Sequence, residues 1–126
     1  MCFEVITNCQ KATKDILVKK RVRMDGSGWL YDLIVDGQTE KWKKGFHYTE
    51  SDFPIKTPKK KQIKGNSFHS FSRHATSDLW KCICDYIDDK TILGRIPKGS
   101  FYYFNKNTEE YCSQEFIYDE DLKSKL

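Results

Sequence analysis

No stretch of this 126-residue chain approaches the roughly 20 consecutive apolar residues of a membrane-spanning helix. Charged residues make up 32% of it, and a helical membrane protein is excluded. Glycine and proline are scarce, at seven and three residues, so neither a collagen-like repeat nor a flexible low-complexity chain is encoded. The opening residues, Met-Cys-Phe-Glu-Val-Ile-Thr, lack a basic start followed by an apolar run, and no secretion signal is read there. The cysteines are Cys2, Cys9, Cys82, Cys84 and Cys112, an odd number. Without a leader, an odd number points to reduced thiols in a cytoplasm, each behaving as a small buried apolar residue.

Chemical signatures are equally sparse. There is no Gly-x-Ser-x-Gly elbow and no glycine-rich phosphate loop. Pro97 and Gly99 instead make residues 96–100 a simple turn. Cys82 and Cys84 stand two apart on a predicted helix, on different faces about 200° from each other, and cannot chelate together. His47, His69 and His74 show no paired ligand spacing. Neither a metal nor another cofactor is expected.

What the chain does hold is an uneven charge. Residues 1–73 contain 15 Lys and Arg against 8 Asp and Glu, whereas residues 74–126 contain 7 against 10. The overall balance of +4 hides a basic half and a mildly acidic one. The basic half peaks at Lys56, Lys59, Lys60, Lys61 and Lys64, preceded by Lys41, Lys43 and Lys44 around Trp42. Such a field attracts and steers polyanions. The acidic run Asp119-Glu120-Asp121 is short for a nucleic-acid mimic.

The length fits a single domain over residues 1–126. Strands are read at residues 3–7, 16–22, 29–35, 38–42, 66–71, 91–96, 100–104 and 115–118. Asp36-Gly37 supplies the clearest hairpin signal, between residues 29–35 and 38–42. Pro54 and Pro58 make residues 43–65 a basic, mobile loop. Ala75, Leu79, Cys82, Ile83, Tyr86 and Ile87 recur at helical spacing and predict one main helix over residues 74–88, capped by Ser72 or Thr76. The expected fold is α+β: a small, twisted, mostly antiparallel sheet of about seven short strands, one face packed by the helix and the other open.

From Asp15 onward the chain resembles a group of small proteins common in phages, prophages and related mobile elements. The pieces that carry the likeness are Asp15-Ile-Leu-Val-Lys-Lys20, Ser67-Phe-His-Ser-Phe71, Ile96-Pro-Lys-Gly-Ser-Phe-Tyr-Tyr103 and Glu110-Tyr-Cys-Ser113, in that order. The chain departs from the pattern at Lys19 (usually Tyr), Ser67 (usually Gly) and Cys112 (usually Val), and residues 22–64 match poorly. The layout is also faintly similar to the ADP-ribosyltransferase fold. That likeness implies a nucleotide pocket built from Lys19 or Arg21, Ser70, and Glu110 or Glu115, although the usual Arg-Gly after the first strand is absent.

Two function classes follow. In the first, the protein is not an enzyme: Lys41, Trp42, Lys43, Lys44, Lys56, Lys59, Lys60, Lys61 and Lys64 meet phosphates, and Trp42, Phe46, His47 and Tyr48 stack on unpaired bases. Its concrete form is an anti-CRISPR that binds a host-defence nucleoprotein or its RNA in the bacterial cytoplasm; its dull form is an accessory RNA-binding domain. In the second, Lys19, Arg21, His69, Ser70 and Glu110 hold a NAD-derived nucleotide. A His beside a Ser also suits a general base beside a nucleophile, but no acid at a fitting distance is readable.

Overall fold

The computed structural model of the chain describes residues 3–22, 45, 47–63, 67–86 and 90–119. Their elements run in the order β1 (Phe3–Glu4), β2 (Gln10–Lys11), β3 (Ile16–Val22), β4 (His47–Thr49), β5 (Gln62–Ile63), β6 (Phe68–Ser72), α1 (Asp78–Tyr86), β7 (Lys90–Ile96), β8 (Phe101–Asn105), β9 (Glu110–Ser113) and β10 (Glu115–Tyr118). Eight strands form one antiparallel sheet in the order β2-β8-β9-β6-β3-β7-β10-β4, and β1 pairs with β5 in a separate ribbon.

The fold is therefore mostly β, and the α+β expectation with a main helix is overturned. The helix is real but spans nine residues. Ser77, not Ser72 or Thr76, caps it: its Oγ accepts the Trp80 backbone N–H at 3.2 Å. Ala75 thus precedes the helix and packs under it from a turn. The missed strands β2, β4, β5 and β9 are two to four residues long, too short for alternation to show. Two of them, β4 and β5, lie inside the stretch read as a loop. The hairpin expected at residues 29–42 lies outside the described residues.

Register assigns each side chain to a face, because directly paired residues share one. Pairing of β3 with β7, of β7 with β10 and of β6 with β9 places Val18, Lys20, Phe68, Ser70, Ile92, Ile96, Tyr111, Phe116 and Tyr118 on one face. This face is not open, as expected, but closes on itself. Tyr48 on edge strand β4 and Phe68 on β6 have ring centroids 6.1 Å apart. On a flat sheet four strand spacings would separate them by about 19 Å. The sheet is strongly curled, and Val18, Phe68, Ile92, Ile96, Phe116 and Tyr118 fill the concavity.

The convex face carries two further cores. Phe71 packs with Ala75, Leu79, Trp80 and Ile83 at the helix. Tyr103 and Cys112 pack with Phe3, Val5, Phe53 and Ile63 at the ribbon. Helix and ribbon thus cover neighbouring parts of the same face.

Gly94 on β7 marks where the concavity is tightest. A Cβ there would lie 2.6 Å from the Ile117 carbonyl oxygen and inside the Phe116 ring. Gly94→Ala is expected to cost about 1–3 kcal/mol, the usual penalty of overpacking. Urea denaturation measures it, and an unchanged midpoint would show that Phe116 and β10 yield without cost.

Candidate functional site

The described part of the lysine-rich stretch is a built turn rather than a free loop. The Lys61 N–H donates to the Pro58 carbonyl at 2.9 Å, and the Val5 N–H donates to the Lys61 carbonyl at 2.8 Å. Immediately after, Phe3 and Glu4 pair with Ile63 and Gln62 in the ribbon. From below, the buried Tyr103 donates its hydroxyl to the Pro54 carbonyl at 2.7 Å. Lys61 itself adopts φ of +54°, a conformation uncommon for residues other than glycine. The turn projects Lys56, Lys59, Lys60 and Lys61 into solvent. None of the four has an ion-pair partner among the described residues. The carboxylates on the same elements are Glu4 and Asp52, both exposed. Lys41, Trp42, Lys43, Lys44 and Lys64 lie outside the described residues.

Beside the turn opens a pocket of about 200 Å³, lined by Val5, Ile6, Thr7, Asn8, Thr57 and Lys61. Its walls offer hydroxyls, an amide and an ammonium. Ile6 and Ile55, on the same two segments, are 41% and 49% exposed. Together they make a basic, partly apolar surface tied to the ribbon and to Tyr103 by hydrogen bonds.

Of the stacking residues expected beside the lysines, the two that are described make contacts within the sheet. Tyr48 is half-buried and packs into the concave core. His47 is exposed on β4, and its Nε2 lies 2.8 Å from Glu115 Oε1. Trp42 and Phe46 lie outside the described residues.

The alternative nucleotide set does not converge on a pocket. Lys19, Arg21, His69 and Glu110 belong to the convex face, whereas Ser70 belongs to the concave one. Lys19 Nζ donates to the Ala75 carbonyl at 2.8 Å and sits 4.4 Å from the Trp80 ring centroid. Burial holds its ammonium below the usual lysine range. Arg21 Nη1 donates to Thr91 Oγ1 at 2.8 Å. Ser70 Oγ is buried with no hydrogen-bond partner among the described residues.

His69 and Glu110 do meet, together with a residue that sequence reasoning passed over. His69 Nδ1 lies 3.3 Å from Glu110 Oε2, and His69 Nε2 lies 3.1 Å from Ser67 Oγ. This is the order of a serine–histidine–acid triad. All three residues are at most 2% exposed, so no face of the serine is open to a substrate. Phe3 of the ribbon caps the imidazole edge-on at 6.1 Å. From the concave side, buried Lys20 donates its ammonium to the His69 carbonyl. The group is an internal polar network where the ribbon and helix cores meet. Cys112 joins it: burial drives its thiol far above the usual range, contact with Ser67 offsets this in part, and Glu110 raises it further. It is no nucleophile. Among the described residues no group of three His, Cys, Asp or Glu side chains could hold a metal ion.

Sequence reasoning also passed over an aromatic cluster on the other side of β8. Phe104 and Tyr111 have centroids 4.4 Å apart, and Tyr102 lies 5.8 Å from Tyr111. The signal was the run Phe101-Tyr-Tyr-Phe104, which puts aromatics on both faces of one strand.

Two predictions follow from the buried network. Glu110→Ala removes the buried carboxylate beside His69 Nδ1 and is expected to cost about 1–3 kcal/mol in urea denaturation, against a change within about 0.5 kcal/mol for exposed Lys60→Ala. Equal effects from the two variants would mean that the network carries no weight. For Cys112, folding raises the pKa, so its contribution is complete below the ordinary value of 9.0 and is lost as pH climbs beyond it. Melting temperature is expected to fall above about pH 9, and less steeply in Cys112→Val. Tyr103 and Tyr111, also raised by burial, keep some slope in the variant. Identical alkaline limbs would remove Cys112 from the account. No protein-family profile, curated protein or solved structure matches the chain.

Proposed function

We propose that this chain is a non-enzymatic binding protein of a phage or related mobile element, acting against a host-defence complex. Its most concrete form is an anti-CRISPR that docks on a nucleoprotein effector or its RNA through the lysine turn and hinders its function. The observation that carries the reading is the anchored turn. Four ammonium groups within six residues stand exposed, without ion-pair partners among the described residues, on a backbone fixed by the ribbon and by Tyr103. A rigid cationic turn of this kind meets successive phosphates at little ordering cost and reads no sequence. The likeness of four ordered motifs to phage and prophage proteins supports the setting.

The nucleotide-transfer reading has no comparable support. Its basic residues are engaged by the helix and by β7, its serine faces away, Glu110 is sealed, and Glu115 lies against His47 on β4.

Binding to a fluorescent single-stranded RNA should weaken linearly on a log–log salt plot. The slope is about −3 if each of the four lysines meets one phosphate. Changing Lys56, Lys59, Lys60 and Lys61 together to Glu should abolish binding and retention of an effector complex, with the melting temperature preserved. Undiminished retention by this variant would refute the proposal.

A further inference from the structure

The aromatic cluster on β8 and β9 has no role in the reading above, and its placement is specific. Pairing of Phe104 with Tyr111, and of Tyr102 with Ser113, puts Tyr102, Phe104 and Tyr111 on the concave-side face of adjacent strands. They sit away from the deep core: all three are only partly buried, whereas Phe68 and Phe116 are sealed. Tyr102 is steered by its hydroxyl, which donates to Gln10 Oε1 on β2 at 2.7 Å. The rings are tilted by 37° and 55° to one another rather than stacked in parallel. At the end of the same two strands, the turn after β8 exposes Lys106 and Asn107.

A row of partly exposed aromatics on a sheet, with an ammonium at its end, fits one ligand chemistry well. Unpaired nucleobases present flat π faces to such rings and a phosphate to the cation, whatever their sequence. Duplexes do not, because their bases are already stacked. We propose that Tyr102, Phe104 and Tyr111 form a stacking platform for the bases of single-stranded nucleic acid, with Lys106 taking a neighbouring phosphate. This rests on the polyanion reading of the lysine turn and narrows it to unpaired strands. Tyr48, one of the residues expected to stack, packs on the concave core instead. Tyr111 also packs on the concave core, so the outer rings Tyr102 and Phe104 are the ones to alter.

The test uses the whole chain and four probes of matched charge: a single-stranded RNA 12-mer, its duplex, inorganic polyphosphate and poly-glutamate. The single strand should bind about ten times more tightly than the duplex or polyphosphate, the worth of about one stacked base. A 2-aminopurine placed in the strand should change fluorescence on binding. Tyr102→Ala with Phe104→Leu should lower single-strand affinity about tenfold, leave polyphosphate affinity and the salt slope unchanged, and suppress the 2-aminopurine response. Phe104→Tyr should keep it. Equal affinity for strand, duplex and polyphosphate overturns the platform but leaves the lysine turn standing, as does a ring variant that binds like the parent. Preference for poly-glutamate overturns the platform in favour of an acidic protein partner. Failure to bind any of the four at low salt overturns both readings.

Discussion

Three ionisable side chains, Lys20, His69 and Glu110, are buried in a sheet of short strands, and the rest of the structure is arranged around satisfying them. Charges taken out of water are costly unless hydrogen bonds replace their hydration. Here one residue serves both sides of the sheet. The His69 carbonyl accepts from Lys20 toward the concavity, and its ring meets Glu110 and Ser67 toward the convex face. That bridge demands that β3, β6 and β9 be neighbours in one register. It also demands a roof on each face: the curl of the sheet over Lys20, and the ribbon with Phe3 over the imidazole.

The roof connects the interior to the surface. The ribbon that covers His69 exists because residues 3–4 pair with residues 62–63, and this pairing fixes the turn carrying Lys56, Lys59, Lys60 and Lys61. Tyr103, whose ring packs between Phe3 and Phe53, gives its hydroxyl to the base of that turn. Directly across the same strand, Tyr102 and Phe104 present their rings on the other face. A single strand, β8, thus supports the cationic turn on one side and the aromatic row on the other.

Much of this was legible from residue patterns, and the failures have physical causes. The long strands β3 and β7 and the aromatic strands β6, β8 and β10 announced themselves through β-branched and aromatic residues. The lysine turn was visible from composition, since charge needs no fold to be counted. The helix was found but overextended, because Ala75 continues the apolar spacing across a turn that only the Ser77 cap reveals. Strand β9 was missed because its four residues are too few for alternation to show, and Glu110, a poor strand former, is held there by the buried contact with His69. The Ser67–His69–Glu110 contact was unreadable because 41 residues separate His69 from Glu110, and only the register of β6 against β9 joins them. The face of Ser70 depended on that register too, since adjacent residues on a strand point opposite ways.

The strand order also dictates when the binding face comes into being. Phe3 waits for Ile63, and Gln10 for Tyr102, while β3 finds β7 some 70 residues later. Pairings this distant close large loops before any contact rewards them, which places the chain among slow folders, in the range of milliseconds to seconds. Gln10 and Lys11 have no partner strand until β8 has formed, and until then the ribbon lacks the Tyr103 ring on which Phe3 packs. The cationic turn leans on that ribbon, so it is completed late, and a nascent chain carries its lysines long before it can hold them in the arrangement that a partner would meet.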